Sequence, residues 1–186
     1  TASGYFASVS GGCGNAASGA SSTVVGGCGT VASGNCSVAG GRTNTASGGF
    51  SVAFGVNNTA SGYISTIGGG NINTANAGYA TIGGGLCNTA NGCQSTIGGG
   101  NSNSVSGYWN TVGGGYANNA SSESTVAGGI TNTASGYRSA VGGGWANTAS
   151  GCQSVVAGGR ANTASGYRAA VVGGQCNIAN NSWSFI

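Results

Sequence analysis

The chain has 186 residues, of which 42 are Gly and none is Pro, Met or His, and its only charged side chains are four Arg and one Glu. Against usual shares of about 7% Gly and 25% charged residues, this composition removes several kinds of chemistry. Paired-carboxylate hydrolysis needs a second acid beside Glu123, a Ser or Cys nucleophile needs a base that no His or Lys supplies, and His-based metal sites are impossible.

A net charge of +3 from scattered Arg is too small for a nucleic-acid footprint. An apolar share of 39% argues against disorder, which goes with few apolar residues and high net charge. The absence of Pro excludes collagen, and no run approaches the ~18 apolar residues of a membrane span. The expectation is therefore a protein that is not an enzyme, has no cofactor, metal or nucleic-acid partner, and does not insert into membranes. The chain opens inside a repeated phrase without a start Met, so residues 1–186 read as one repeat array, a fragment of a longer solenoid.

The phrase Thr-Ala-Ser-Gly begins at residue 1 and returns at 45, 59, 133, 148 and 163. Alignment on it in chain order gives first an Ala column: Ala2, Ala17, Ala32, Ala46, Ala60, Ala75, Ala90, Val105, Ala120, Ala134, Ala149, Ala164 and Ala179. A β-branched column follows, predicted to be the core ladder: Val9, Val24, Val38, Val52, Ile67, Ile82, Ile97, Val112, Val126, Val141, Val156, Val171 and Ile186. An invariant Gly column runs from Gly12 to Gly174, and an Asn column from Asn15 to Asn177 with Thr30 the exception. Spacings are 14 or 15 residues, and each 14-residue unit is expected to lose its residue between the Ser-Gly turn and the Val column.

Gly costs about 1 kcal/mol per helix position, and such a period is too short for a helix plus a strand. The spacing predicts an all-β fold, a single-stranded parallel β-solenoid (β-roll) of 12 to 13 coils with 14–15 residues per coil. Strands such as Ser65-Thr66-Ile67 and Asn73-Thr74-Ala75 alternate with turns at Ser61-Gly62 and Gly68-Gly69-Gly70. Stacking at about 4.8 Å would give a rod roughly 60 Å long. Val, Ile and Ala point into a thin core, and Asn forms a ladder along a turn. The Gly columns then mean positive φ or close backbone approach.

The stretch Ser51-Val52-Ala53-Phe54-Gly55-Val56-Asn57-Asn58-Thr59-Ala60-Ser61-Gly62 resembles the head repeat of trimeric autotransporter adhesins, approximately Ser-Val-Ala-Ile-Gly, a short spacer, then Ala-x-Gly. Ser37-Val38-Ala39-Gly40-Gly41 with Thr45-Ala46-Ser47-Gly48 is a second close copy. Related repeats occur in phage and large-virus fibre proteins. The resemblance implies a left-handed parallel β-roll, usually a homotrimer, carried on a surface stalk and used for attachment. One departure is that the family's second core hydrophobe is present only as Phe54. Elsewhere the position is Gly, from Gly11 and Gly26 to Gly158 and Gly173. Either the coil is flatter, or another chain packs against the glycine strip, which favours a laterally packed filament over a trimer.

Seven Cys without a C-x-x-C pair argue against a zinc site and suit an oxidising, extracellular setting. Cys13 and Cys28 share a column one coil apart, within disulfide range; they are a candidate staple or two free buried thiols. Asn35, Asn57, Asn119 and Asn180 head glycosylation acceptor patterns. Tyr108, Tyr137 and Tyr167, followed by Trp109, Arg138 and Arg168, occupy one variable position of the unit, and Tyr116, Trp145 and Arg160 occupy a second. They are candidates for binding a partner or for lateral packing against sister chains.

Three functions follow from this reading. The first is a structural segment of an extracellular, cell-surface or virion-surface fibre, self-associated as a homotrimer or filament. The second is an adhesin head that binds a host glycan or protein receptor. The third is ice binding through the Thr45, Thr59, Thr74, Thr89 row and the Thr133, Thr148, Thr163 row.

Overall fold

The computed structural model describes residues 1–186, an all-β chain of short parallel strands. The coils form two compact units, Thr1–Gln94 and Ser95–Ile186, built in the same way. In the first unit one face is made by Ser8–Val9, Thr23–Cys28, Val38–Arg42, Val52–Val56, Thr66–Ile67 and Thr81–Ile82. The other is made by Ala16–Ala17, Val31–Ala32, Thr45–Ala46, Thr59–Ala60, Thr74–Ala75 and Thr89–Cys93. The second unit repeats the arrangement, from Thr96–Ile97 to Ala170–Val171 on one face and from Ser104–Tyr108 to Ile178–Ala179 on the other. Each unit is thus a parallel β-solenoid with six strands on each face, and the coil number of the whole chain is close to that expected.

Most strands hold only two residues because each coil needs just one outward and one inward side chain per face. In Thr74-Ala75 and Thr81-Ile82 the Thr is half-buried and the following residue is wholly buried. Ala lines one wall of the core and Val or Ile the other. The strands pair residue for residue with the coils on either side, Thr74 with Thr59 and Thr89.

The core ladder departs from the sequence expectation at four positions. Val38 pairs with Thr23 and Val52 with Thr66, so both stand in the outward Thr column. Ala39 and Ala53 take the inward place, fully buried between Val24 and Ile67. The aligned β-branched residue was the wrong guide there, because strand side chains alternate faces and a one-residue slip exchanges them. Val9 pairs with Val24 but is only half-buried. Ile186 follows Phe185, the bridge partner of Ala170, and is 46% exposed.

The missing residues move accordingly. In the coils of Ala39 and Ala53 the deletion lies in the glycine run after the core residue, which lets the strand continue to Arg42 and Val56. The register shift between Val24 and Gly26 leaves Val25 as the extra residue, 52% exposed. Only the coil of Val126 shortens its Ser-Gly turn, where Ser122 and Glu123 both take positive φ (66° and 59°).

Phe54 also points outward. Its ring lies over Gly40, where a Cβ would come 2.6 Å from Cε1. A Cβ at Gly69, Gly158 or Gly173 would meet nothing within 4 Å. The glycine strip is therefore open surface, and a side chain there would not have entered the core.

The invariant Gly and Asn columns close the coil together. At Gly115, φ is +91° and a Cβ would stand 2.2 Å from the carbonyl oxygen of Gly129 in the next coil. That approach brings the Gly129 carbonyl to Asn118 Nδ2, which donates to it (2.8 Å) and to the Gly114 carbonyl (2.8 Å). Asn118 Oδ1 accepts from the backbone N–H of Asn132 (2.9 Å), which repeats the arrangement. Asn118 thus engages both its amide nitrogen and its amide oxygen, as burial demands.

Candidate functional site

Two turn lines flank the core, and most of the large variable side chains stand on them. One joins the Ala strand to the Val strand, as in Ser61-Gly62-Tyr63-Ile64-Ser65. The other joins the Val strand to the next Ala strand, as in Gly70-Asn71-Ile72-Asn73. In both, one residue adopts a left-handed conformation although it is not Gly: Ile64 at φ 56°, Ile72 at 57°, Trp109 at 55°, Arg168 at 53°. Such a conformation costs an ordinary residue about 1–2 kcal/mol. It aims the N–H at the preceding coil, so Ile64 donates to the Gly49 carbonyl (2.8 Å) and Arg168 to the Cys152 carbonyl (2.9 Å).

The two variable positions of the unit become these two lines. Tyr108, Trp109, Tyr137, Arg138, Tyr167 and Arg168 stand on the first, and Tyr116, Trp145 and Arg160 on the second. On the first line of the second unit, the Arg168 guanidinium lies 5.0 Å from the Tyr167 ring centre and 4.6 Å from that of Trp183, and its Nε donates to Gln153 Oε1 (2.6 Å). Arg138 lies over Tyr137 at 4.8 Å and donates to Glu123 at 2.9 Å. Its pKa is raised, first by this hydrogen bond and then by the charges of Tyr137 and Glu123. On the second line Arg160 covers Trp145 at 4.2 Å, and Tyr116, Ile130, Trp145 and Arg160 are successive bridge partners.

Phe50, Tyr79, Trp183, Gln153 and Glu123 also belong to these clusters and were not among the candidates. Phe50, Tyr63 and Tyr79 form an edge-to-face row with ring centres 5.8 and 6.0 Å apart. The coil spacing carried the signal for Phe50 and Tyr79, each one turn position after its Tyr column.

Cys13 and Cys28 are backbone bridge partners in adjacent coils; both are free and both exposed rather than buried. Asn35, Asn57, Asn119 and Asn180 are all exposed. Asn35 accepts from the Ala20 N–H and Asn57 from the Thr43 hydroxyl. Thr45, Thr59, Thr74 and Thr89 stand in register on the Ala face, whereas Thr66 and Thr81 form a row on the opposite one. No three His, Cys, Asp or Glu side chains gather at one place, and no helix is long and apolar enough to cross a membrane. An open depression of 360 Å³ in the first unit is floored by Gly26, Gly27, Gly40, Gly41 and Gly55 and walled by Val25 and Phe54.

These features define a β-solenoid repeat protein whose variable side chains are displayed on two turn lines. Comparison with protein-family models and with curated proteins finds no match.

Proposed function

We propose that the chain is a structural β-solenoid of an extracellular or virion-surface fibre or filament, contributing length and rigidity and having no enzymatic role. The supporting observation is the Asn ladder, in which the Oδ1 of Asn44, Asn58 and Asn73, and again of Asn103, Asn118, Asn132, Asn147 and Asn162, accepts the backbone N–H of the Asn one coil on at 2.7–2.9 Å. Within each unit, a ladder that ties these successive coils together resists bending and local opening, which is what a fibre requires. The resemblance of Ser51–Gly62 to adhesin-head and virus-fibre repeats supports the same reading. Self-association, as a homotrimer or a filament, follows from a surface almost without charge. Cryo-electron microscopy of the purified protein is expected to show elongated particles or fibres; dispersed monomeric globules would overturn the proposal.

A second reading, an adhesin head that binds a glycan or protein receptor, is favoured by the exposed Tyr167–Arg168–Trp183 cluster. Aromatic faces stack on sugar rings, and a stacked guanidinium offers directed donors to an acidic sugar. On a glycan array, Arg168→Ala and Trp183→Ala are expected to abolish the signal, while Arg160→Ala on the other turn line leaves it. Equal signals from all three variants would sink this reading.

A further inference from the structure

Cys13 and Cys28 occupy the same turn position of successive coils. The Cys13 N–H donates to the Gly27 carbonyl (2.9 Å), and the Gly29 N–H to the Cys13 carbonyl (2.8 Å). The two residues are therefore parallel bridge partners. Parallel neighbours stand about 4.8 Å apart, inside the Cα separation of about 4.4–6.8 Å that a disulfide spans. Both thiols are free and exposed. None of the other five Cys has a cysteine one coil away in its own column.

A second observation sets these two coils apart. The residue after each cysteine takes the left-handed turn conformation, and here it is Gly14 (φ 66°) and Gly29 (φ 63°). Every other coil puts a side chain at that turn, such as Thr43, Asn57 or Ile72. A Cβ on Gly14 would approach nothing closer than 3.8 Å, and one on Gly29 would reach only the Thr43 methyl, at 3.3 Å. The glycines are thus not required by crowding from neighbouring backbone. They leave the thiols open to a reagent, and they give the turns the freedom to rotate both Cβ–Sγ bonds into bonding geometry.

We propose that Cys13 and Cys28 form a solvent-facing dithiol that closes and reopens as a redox-controlled staple between adjacent coils. The oxidant is a small disulfide of the glutathione class. One cysteine thiolate attacks it, giving a mixed disulfide and releasing one thiol. The second cysteine thiolate then attacks the protein sulfur of that mixed disulfide and releases the other. Two cysteine thiols and one small disulfide become one protein disulfide and two small thiols, so atoms and electrons balance. Exposure makes the bond of the labile rather than the permanent kind. The staple is independent of the fibre reading.

The test treats the full-length chain with oxidised glutathione, blocks the remaining thiols under denaturing conditions and locates each modification by tandem mass spectrometry. Residues 13 and 28 are expected to become linked to each other without retained glutathione, and to return to free thiols on reduction. Cys13→Ser is expected to leave Cys28 as a stable glutathione adduct, whereas Cys36→Ser leaves the 13–28 link unchanged. Glutathione retained on both residues of the unsubstituted chain would overturn the proposal, as would a link from either of them to Cys36. Circular dichroism of each variant monitors the fold, and the mapping of the unsubstituted chain decides the matter even if a variant misfolds.

Discussion

At the scale of single residues, two glycines that look alike in sequence do different work. Gly115 sits at φ +91° with the Gly129 carbonyl 2.2 Å from where its Cβ would be, whereas Gly69 has open space around that point. Gly115→Ala is therefore expected to cost about 3 kcal/mol or more, by backbone strain and loss of the inter-coil approach. Gly69→Ala is expected to stay within about 0.5 kcal/mol; chemical denaturation distinguishes them. The buried serines give a second contrast. Ser154 Oγ has no hydrogen-bond partner although the residue is fully buried, and Ala169 fills the same place one coil on. Ser154→Ala is expected to be neutral or to stabilise by up to about 1 kcal/mol, since it removes an unmet polar group. A midpoint shift towards lower denaturant would contradict this.

At the scale of the element, a two-residue strand has one inward and one outward place, and which residue takes which is decided by register. Ile82 is wholly buried, while Val38 faces outward beside Thr23 and Val52. Ile82→Ala is expected to cost about 2–5 kcal/mol by leaving a cavity. Val38→Thr is expected to change stability by less than about 0.5 kcal/mol. If Val38→Thr proved as damaging as a core substitution, the register of Val38–Arg42 would be wrong. The turns show a similar override. Ile64 and Ile72 hold left-handed conformations that their side chains disfavour, because the inter-coil hydrogen bond and the stacked neighbours over-determine the turn.

At the scale of the whole molecule, each coil touches mainly its neighbours, so stability within a unit adds from coil to coil. Val141→Ala, in the middle of the second unit, is expected to cost about 1–3 kcal/mol. The protection of backbone amides against hydrogen exchange should fall most in the paired strands Thr125–Val126 and Val155–Val156 and fade beyond them. Uniform loss across the unit would instead mean that its coils open as one.

Much of this protein was legible in its sequence, because one coil's needs recur every 14–15 residues and repetition makes them visible. The parallel β-solenoid and the Ala wall could be read there, as could the close-approach glycines and the Asn ladder. Each recurs at one place in nearly every coil, and that recurrence marks its role. Tertiary structure alone decided which of Val38 and Ala39 enters the core, since either order fits the period and only pairing with Thr23 and Val24 selects one. It likewise turned Phe54 out over Gly40 and laid Arg160 over Trp145 and Arg168 over Trp183. Those outcomes depend on what the coils on either side present, and no spacing along the chain records that.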